Sequence, residues 1–233
     1  MFNRIPLILI FTLVAANVFS QRVVDVDKLE GSALSFLKSV GGEPISNTKF
    51  VRLVDGSPYF TDEWIKGSVF IDESEYRNIH LRLNILETSL EFQDSKGEVM
   101  VCTQPVKRVV LKDSAHAASY SFVHSRFLPS TSEFRNTWLL ELVSGNASLY
   151  RVFKKQINEV RPYGSATTEQ HILTSYAYFL LLNNTFTRIK KTADVVDLLG
   201  NKKAELLNFI KTNNLSNKEE GDMIKLIAYY NSL

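Results

Sequence analysis

Four histidines are the side chains of this 233-residue sequence whose ordinary titration lies near neutral pH. His80 alternates with leucines on the polar side of a strand-like run, and His171 follows a Thr167-Thr168-Glu169 loop. His116 and His124 stand eight residues apart around one predicted strand. At a strand rise of roughly 3.3 Å per residue, that separation is about 26 Å, too far for shared metal ligation. All four are expected at the surface, and no metal site is predicted. Serines are plentiful, yet there is no G-x-S-x-G elbow and no Ser with a base set beside it by local spacing. The carboxylate groups Asp62-Glu63 and Asp72-Glu73-Glu75 flank predicted strands, where acids solvate turns. Neither a G-x-G-x-x-G loop nor a P-loop lysine occurs, so no catalytic residue and no cofactor is predicted.

Aromatic residues give the better lead. Pro58-Tyr59-Phe60, Trp64 and Gly67 lie close together beside a Gly/Pro turn. Large rigid rings offer contact area at low entropic cost, so Tyr59, Phe60 and Trp64 are the candidate ligand-binding residues. The alternative is that they close one end of a β core.

The elements that must position these groups read mainly as strands. Ile79 to Ile85 alternates apolar and polar residues strictly, which puts Ile79, Leu81, Leu83 and Ile85 on one face. Strands are also predicted at 49–54, 90–93, 98–103, 106–112, 119–127, 137–143, 149–154, 176–182 and 185–189. Turn chemistry separates them at Asp55-Gly56-Ser57-Pro58, Asp94 to Gly97, Ser144-Gly145-Asn146 and Asn183-Asn184. Ten or eleven strands with short connections favour a curved antiparallel meander sheet, as an open barrel or sandwich. After Lys191 the pattern becomes helical. Thr192 is the expected N-cap of a helix reaching Leu199, Leu206 to Ile210 keep helical spacing, and Ser216 with Glu219 forms a capping box. The last helix carries Met223, Ile224, Leu226, Ile227 and Tyr230 as an apolar stripe. The fold class is thus mainly β (α+β), with a helical C-terminal tail that covers the sheet or docks on a partner.

Arg4, the apolar run Ile5 to Val14, and Ala15, Ala16 and Ser20 before Gln21 have the architecture of a cleavable signal peptide. The predicted organisation is a signal peptide at 1–20, an N-terminal segment at 21–48, an antiparallel β domain at 49–190 and the helical tail at 191–233. Nothing after Gln21 approaches the roughly 20 apolar residues of a membrane span, so none is expected after cleavage. Loss of Arg4 lowers the net charge from +2 to +1, and no Lys/Arg run appears, which argues against a nucleic-acid partner. The single cysteine, Cys102, has no internal disulfide partner and reads as a small buried hydrophobe.

Gly56-Ser57-Pro58-Tyr59-Phe60, Trp64, Gly67 and Tyr76, with the ending Tyr229-Tyr230-Asn231-Ser232-Leu233, give the chain a family likeness. It resembles a family of uncharacterised exported cell-envelope proteins of Bacteroidota-type bacteria, where signal cut sites are similar to Ser20/Gln21. The resemblance implies a location in the periplasm or at the outer membrane and brings no activity with it. The expected function is a non-catalytic binding or interaction module of the envelope. Its partner is expected to be an apolar small molecule or an envelope protein. The competing expectations are an exported hydrolase with dispersed catalytic residues and a structural adaptor docking through its tail.

Overall fold

The computed structural model describes residues 22–26, 36, 39–44, 51–129, 134–164 and 167–233. The predicted signal peptide at 1–20 lies outside the described residues, as do the first two residues of the strand predicted at 49–54. In chain order the strands are β1 (Arg22–Asp25), β2 (Glu43–Pro44), β3 (Val51–Asp55), β4 (Ile65–Ile71), β5 (Ser74–Asn84), β6 (Ser89–Gln93), β7 (Val99–Val101), β8 (Arg108–Asp113), β9 (Ala118–His124), β10 (Trp138–Val143), β11 (Ala147–Val160), β12 (Thr168–Leu182) and β13 (Thr185–Ile189). Three α-helices follow: α1 (Thr192–Leu198), α2 (Lys203–Thr212) and α3 (Glu220–Ser232).

All the strands join one sheet in the order β13-β12-β11-β10-β9-β8-β4-β5-β6-β7-β2, which does not close into a barrel. Most neighbours are antiparallel, as short hairpin connections require. Two pairings are not. β1 lies parallel to β5 through Arg22↔Ser74, and β3 lies parallel to β12 through Val51↔Thr168. Both added strands come from distant sequence, so the sheet is mixed rather than a pure meander. β4 has no counterpart among the expected strands, because its start at Ile65 follows the aromatic cluster that reads as a loop mouth. β11 and β12 also extend far past their predicted ends, pairing continuously from Ala147↔Leu182 to Val160↔Glu169. Their outer halves are mostly polar with a few apolar residues out of alternation, such as the adjacent Ile172 and Leu173, which leaves little periodic signal.

One core lies against β4–β6 and β8–β10. Val69, Leu81, Leu83, Phe92, Val109, Leu111 and Phe122 are fully buried there, joined by Phe36 and Val40. The alternation read at 79–85 has its physical basis here. A second core forms where the three helices cover Ala147, Leu149, Leu180 and Ile189. Val195, Leu199, Leu206, Met223, Leu226 and Ile227 supply its helical side, each with no exposed surface. The Asn231 side chain ties α3 to the β10–β11 turn, accepting from Ala147 N at 2.9 Å and donating to Ala147 O at 2.8 Å.

The helix starts differ in detail from expectation. Lys191 occupies the cap position of α1, and Asp194 takes the free backbone N–H groups of Lys190 and Lys191. Thr192, the expected cap, instead directs its hydroxyl to Asn217 Oδ1 at 3.1 Å. Ser216 Oγ does accept from Glu219 N at 3.1 Å, but the reciprocal acid is Asp222, whose carboxylate accepts from Ser216 N at 2.7 Å. α3 therefore begins one residue after Glu219.

Candidate functional site

The three predicted ligand residues do not share one environment. Residues 58–60 continue the β4 side of β5: Tyr59 bridges Asn84, and Phe60 N donates to Leu83 O at 2.8 Å. Successive side chains along such an extended, bridged segment face opposite ways. Phe60 enters the first core, edge-on to Tyr120 and Phe122 at 4.9 Å and to Phe153 at 5.6 Å. Tyr59 and Trp64 instead hold the Arg82 guanidinium, at 3.9 and 4.5 Å from their ring centres. Arg82 is held in turn by Glu91, its cross-strand partner, through Nε at 3.1 Å and Nη2 at 2.7 Å. The Glu91 side chain keeps 3% of its surface. Burial pushes the Tyr59 hydroxyl above its ordinary range, and the nearby Glu91 carboxylate adds to the effect. This is a closed cation–π and ion-pair cluster with its polar groups matched to one another.

The open polar feature is elsewhere, in a cleft of about 180 Å³. Four segments meet in it: the β5–β6 turn (Thr88, Ser89), the connection between β7 and β8 (Cys102 to Val106), the end of β9 (His124, Arg126) and the start of β10 (Asn136, Trp138). In the sheet order β10 and β6 are five strands apart, roughly 24 Å if the sheet were flat. Their meeting across one cleft means that the sheet curls. A second groove of about 320 Å³ adjoins it, sharing His124, Arg126 and Asn136 and adding Arg135 and Phe134.

His124 is the hub of this site. Contrary to the surface role expected of it, only 8% of the residue is exposed. β9 pairs it with Trp138, and the two rings meet edge-to-face at 4.9 Å. Its Nδ1 accepts from Arg126 N at 3.2 Å, which assigns the proton of the neutral ring to Nε2. Burial lowers its pKa, the Arg126 charge lowers it further, and a hydrogen bond with the Asn136 side chain opposes both. His116, by contrast, is exposed and pairs with Asp113 at 2.7 Å.

The charge balance of the cleft is unlike that of the rest of the sheet. Arg77, Arg82, Arg108 and Arg151 each meet a carboxylate, from Glu75, Glu91, Glu141 and Glu220. Among the described residues, neither cleft nor groove is lined by any carboxylate, while Arg126 and Arg135 line the pair. Ser89 Oγ and Trp138 Nε1, both from cleft residues, are buried polar atoms without a hydrogen-bond partner among the described residues. Positive charge and side-chain amides at Gln104 and Asn136 are the chemistry that receives an oxyanion.

Nucleophilic catalysis gets no support from the same geometry. Burial raises the Cys102 thiol to about 11, so it is protonated at neutral pH, and its Sγ donates to Val40 O at 3.4 Å. Ser89 has no base in hydrogen-bond reach. No group of three or more metal-ligating side chains occurs among the described residues. Sequence reasoning missed the cleft because its residues come from four separate connections, each unremarkable alone. Neither a family model, nor a curated protein, nor a solved structure matches this chain.

Proposed function

We propose that this chain is a non-catalytic binding module of the bacterial cell envelope that receives a small molecule bearing a carboxylate or phosphate group in the His124 cleft. The observation that carries the reading is a lining without carboxylates among the described residues: the Arg126 guanidinium stands in the cleft of a buried histidine and Arg135 in the adjoining groove, where other arginines over the sheet are neutralised. Location in the envelope rests on the signal-like segment at 1–20. Arg126 supplies the bidentate fork that suits a planar or tetrahedral oxyanion, and Asn136 and Gln104 supply neutral donors that fix its orientation. An apolar cargo draws less support, because the interior is filled ring against ring around Phe60 and by fully buried leucines.

Titration with acetate and with inorganic phosphate, followed by NMR of the Trp138 indole N–H and the His124 ring, tests the proposal. Saturable shifts with a dissociation constant of about 1 mM or tighter, lost in Arg126→Gln, support it. Absence of saturation, or binding indifferent to Arg126→Gln and Arg135→Gln, overturns it.

A further inference from the structure

The β11–β12 hairpin reaches beyond the sheet that supports it. β10 pairs with β11 only as far as Val152. From Phe153 to Val160 the edge of β11 away from β12 has no ladder partner among the described residues. The outer edge of β12 is covered there, since β3 pairs with it from Thr168 to His171. The open stretch also keeps large apolar side chains in water: Ile157 is 45% and Val160 46% exposed. An open, partly apolar edge carries unpaired N–H and C=O groups and is a template for another strand. Proteins block such edges with proline, bulges or charges; Phe153 to Val160 contains neither a proline nor a break in its register with β12, and its charges, Lys154, Lys155 and Glu159, are of both signs.

We infer that this edge pairs antiparallel with the same edge of a second copy, about a two-fold axis through Ile157. The charge pattern selects both the occupant and the register. Residues directly opposite in such a pairing must project to the same face, so the axis passes through a residue. Centred on Ile157, the register sets Lys155 opposite Glu159 of the second copy and Glu159 opposite its Lys155. It also sets Gln156 opposite Asn158, and Ile157 opposite itself. The Ile157 register thus gains two opposite-charge pairs around an aliphatic centre. Moving the axis to Asn158 puts Lys155 against Arg161, and moving it to Lys155 or Glu159 opposes like charges. An axis through Gln156 sets Lys155 against Ile157 and pairs no charges. Both ions keep capacity for the new bonds. Lys155 Nζ spends one donor on Ser57 O at 2.6 Å, and Glu159 Oε1 accepts from Gln170 Nε2 at 2.6 Å, leaving its second oxygen.

The test is sedimentation equilibrium of the purified protein over a range of concentrations, with Lys155→Glu, Glu159→Lys and the double exchange K155E/E159K. Each single change opposes like charges twice per dimer and is expected to weaken association about tenfold or more, while the double exchange restores it. Circular dichroism shows that each variant stays folded, and recovery in the double variant excludes a folding defect as the cause. Ile157→Cys reads the register directly, because self-opposed thiols form an intermolecular disulfide under mild oxidation and the half-buried Cys102, its thiol held protonated, does not compete. A protein that stays monomeric at every concentration overturns the inference. So does a dimer that is indifferent to both single changes and whose Ile157→Cys form does not cross-link. Anion binding in the His124 cleft is measured separately, so either conclusion can fail without the other.

Discussion

Replacing Glu91 by Gln tests whether the Tyr59–Trp64 cluster is a sealed structural joint. The substitution keeps size and one accepting oxygen but removes the charge that Arg82 faces at 2.7 Å. Arg82 keeps 19% of its side-chain surface, so water offers it limited compensation. Removing one partner of a buried pair costs roughly 3–5 kcal/mol, and the two aromatic faces that still hold the guanidinium place this case near about 3 kcal/mol. With a urea m-value near 3 kcal/mol/M, the midpoint falls by about 1 M. Urea unfolding at pH 7, followed by tryptophan emission, is the assay, since Trp64 sits on the affected guanidinium. Replacing both partners, R82M/E91L, recovers most of the loss, because apolar groups leave no charge unmatched. A midpoint shift below about 0.2 M for E91Q, or a double variant no better than the sum of the single changes, refutes the reasoning.

Three further outcomes are expected. Cys102 in the folded protein resists thiol reagents at pH 8, its thiol being held near 11, and reacts fully once unfolded; native labelling at the rate of a free thiol contradicts the burial account. The folded pKa of His124 lies below its unfolded value of about 6.5, so its contribution to stability is complete above that pH and is lost as pH falls through the folded value. A bound oxyanion reverses that bias, so anion affinity rises from pH 8 to pH 6 and the His124 NMR titration moves upward with ligand; a pH-independent affinity counts against the cleft. Asn231→Ala removes both bonds to Ala147 and lowers stability by about 1–3 kcal/mol, measured as a thermal shift of the whole transition; no shift means that α3 is held by its apolar stripe alone.

What could be read from the sequence was local. Ile79 to Ile85 states its strand because a half-buried strand must alternate, and Asn183-Asn184 states its turn because both residues adopt positive φ, 49° and 61°. β13 occupies the predicted 185–189 for the same reason, being fixed by that turn. Pairings between remote segments left no mark: nothing in Arg22–Asp25 points to Ser74–Arg77, and nothing in Val51–Asp55 points to the far half of β12. The site followed the same rule. Tyr59, Phe60 and Trp64 stood out by type and proximity, but alternation on a short strand sent Phe60 one way and Tyr59 the other. His124 shows no local sign of burial, since its environment depends on how β9 meets β10 and on what the curled sheet brings across from β6 and β7.

The two-core arrangement constrains the order in which the molecule can be completed. Hairpins such as β5–β6 and β12–β13 close from neighbouring residues and can form while the rest of the chain is still being supplied. The sheet surface formed by Leu149 and Leu180 stays bare until α3 brings Met223, Leu226 and Ile227, and Asn231 then latches to Ala147 across 84 residues. A nascent or truncated chain lacking that last helix therefore presents an oily sheet face beside open strand edges. Such a chain is a substrate for holding chaperones and proteases, which gives the cell a means of removing incomplete copies before they aggregate.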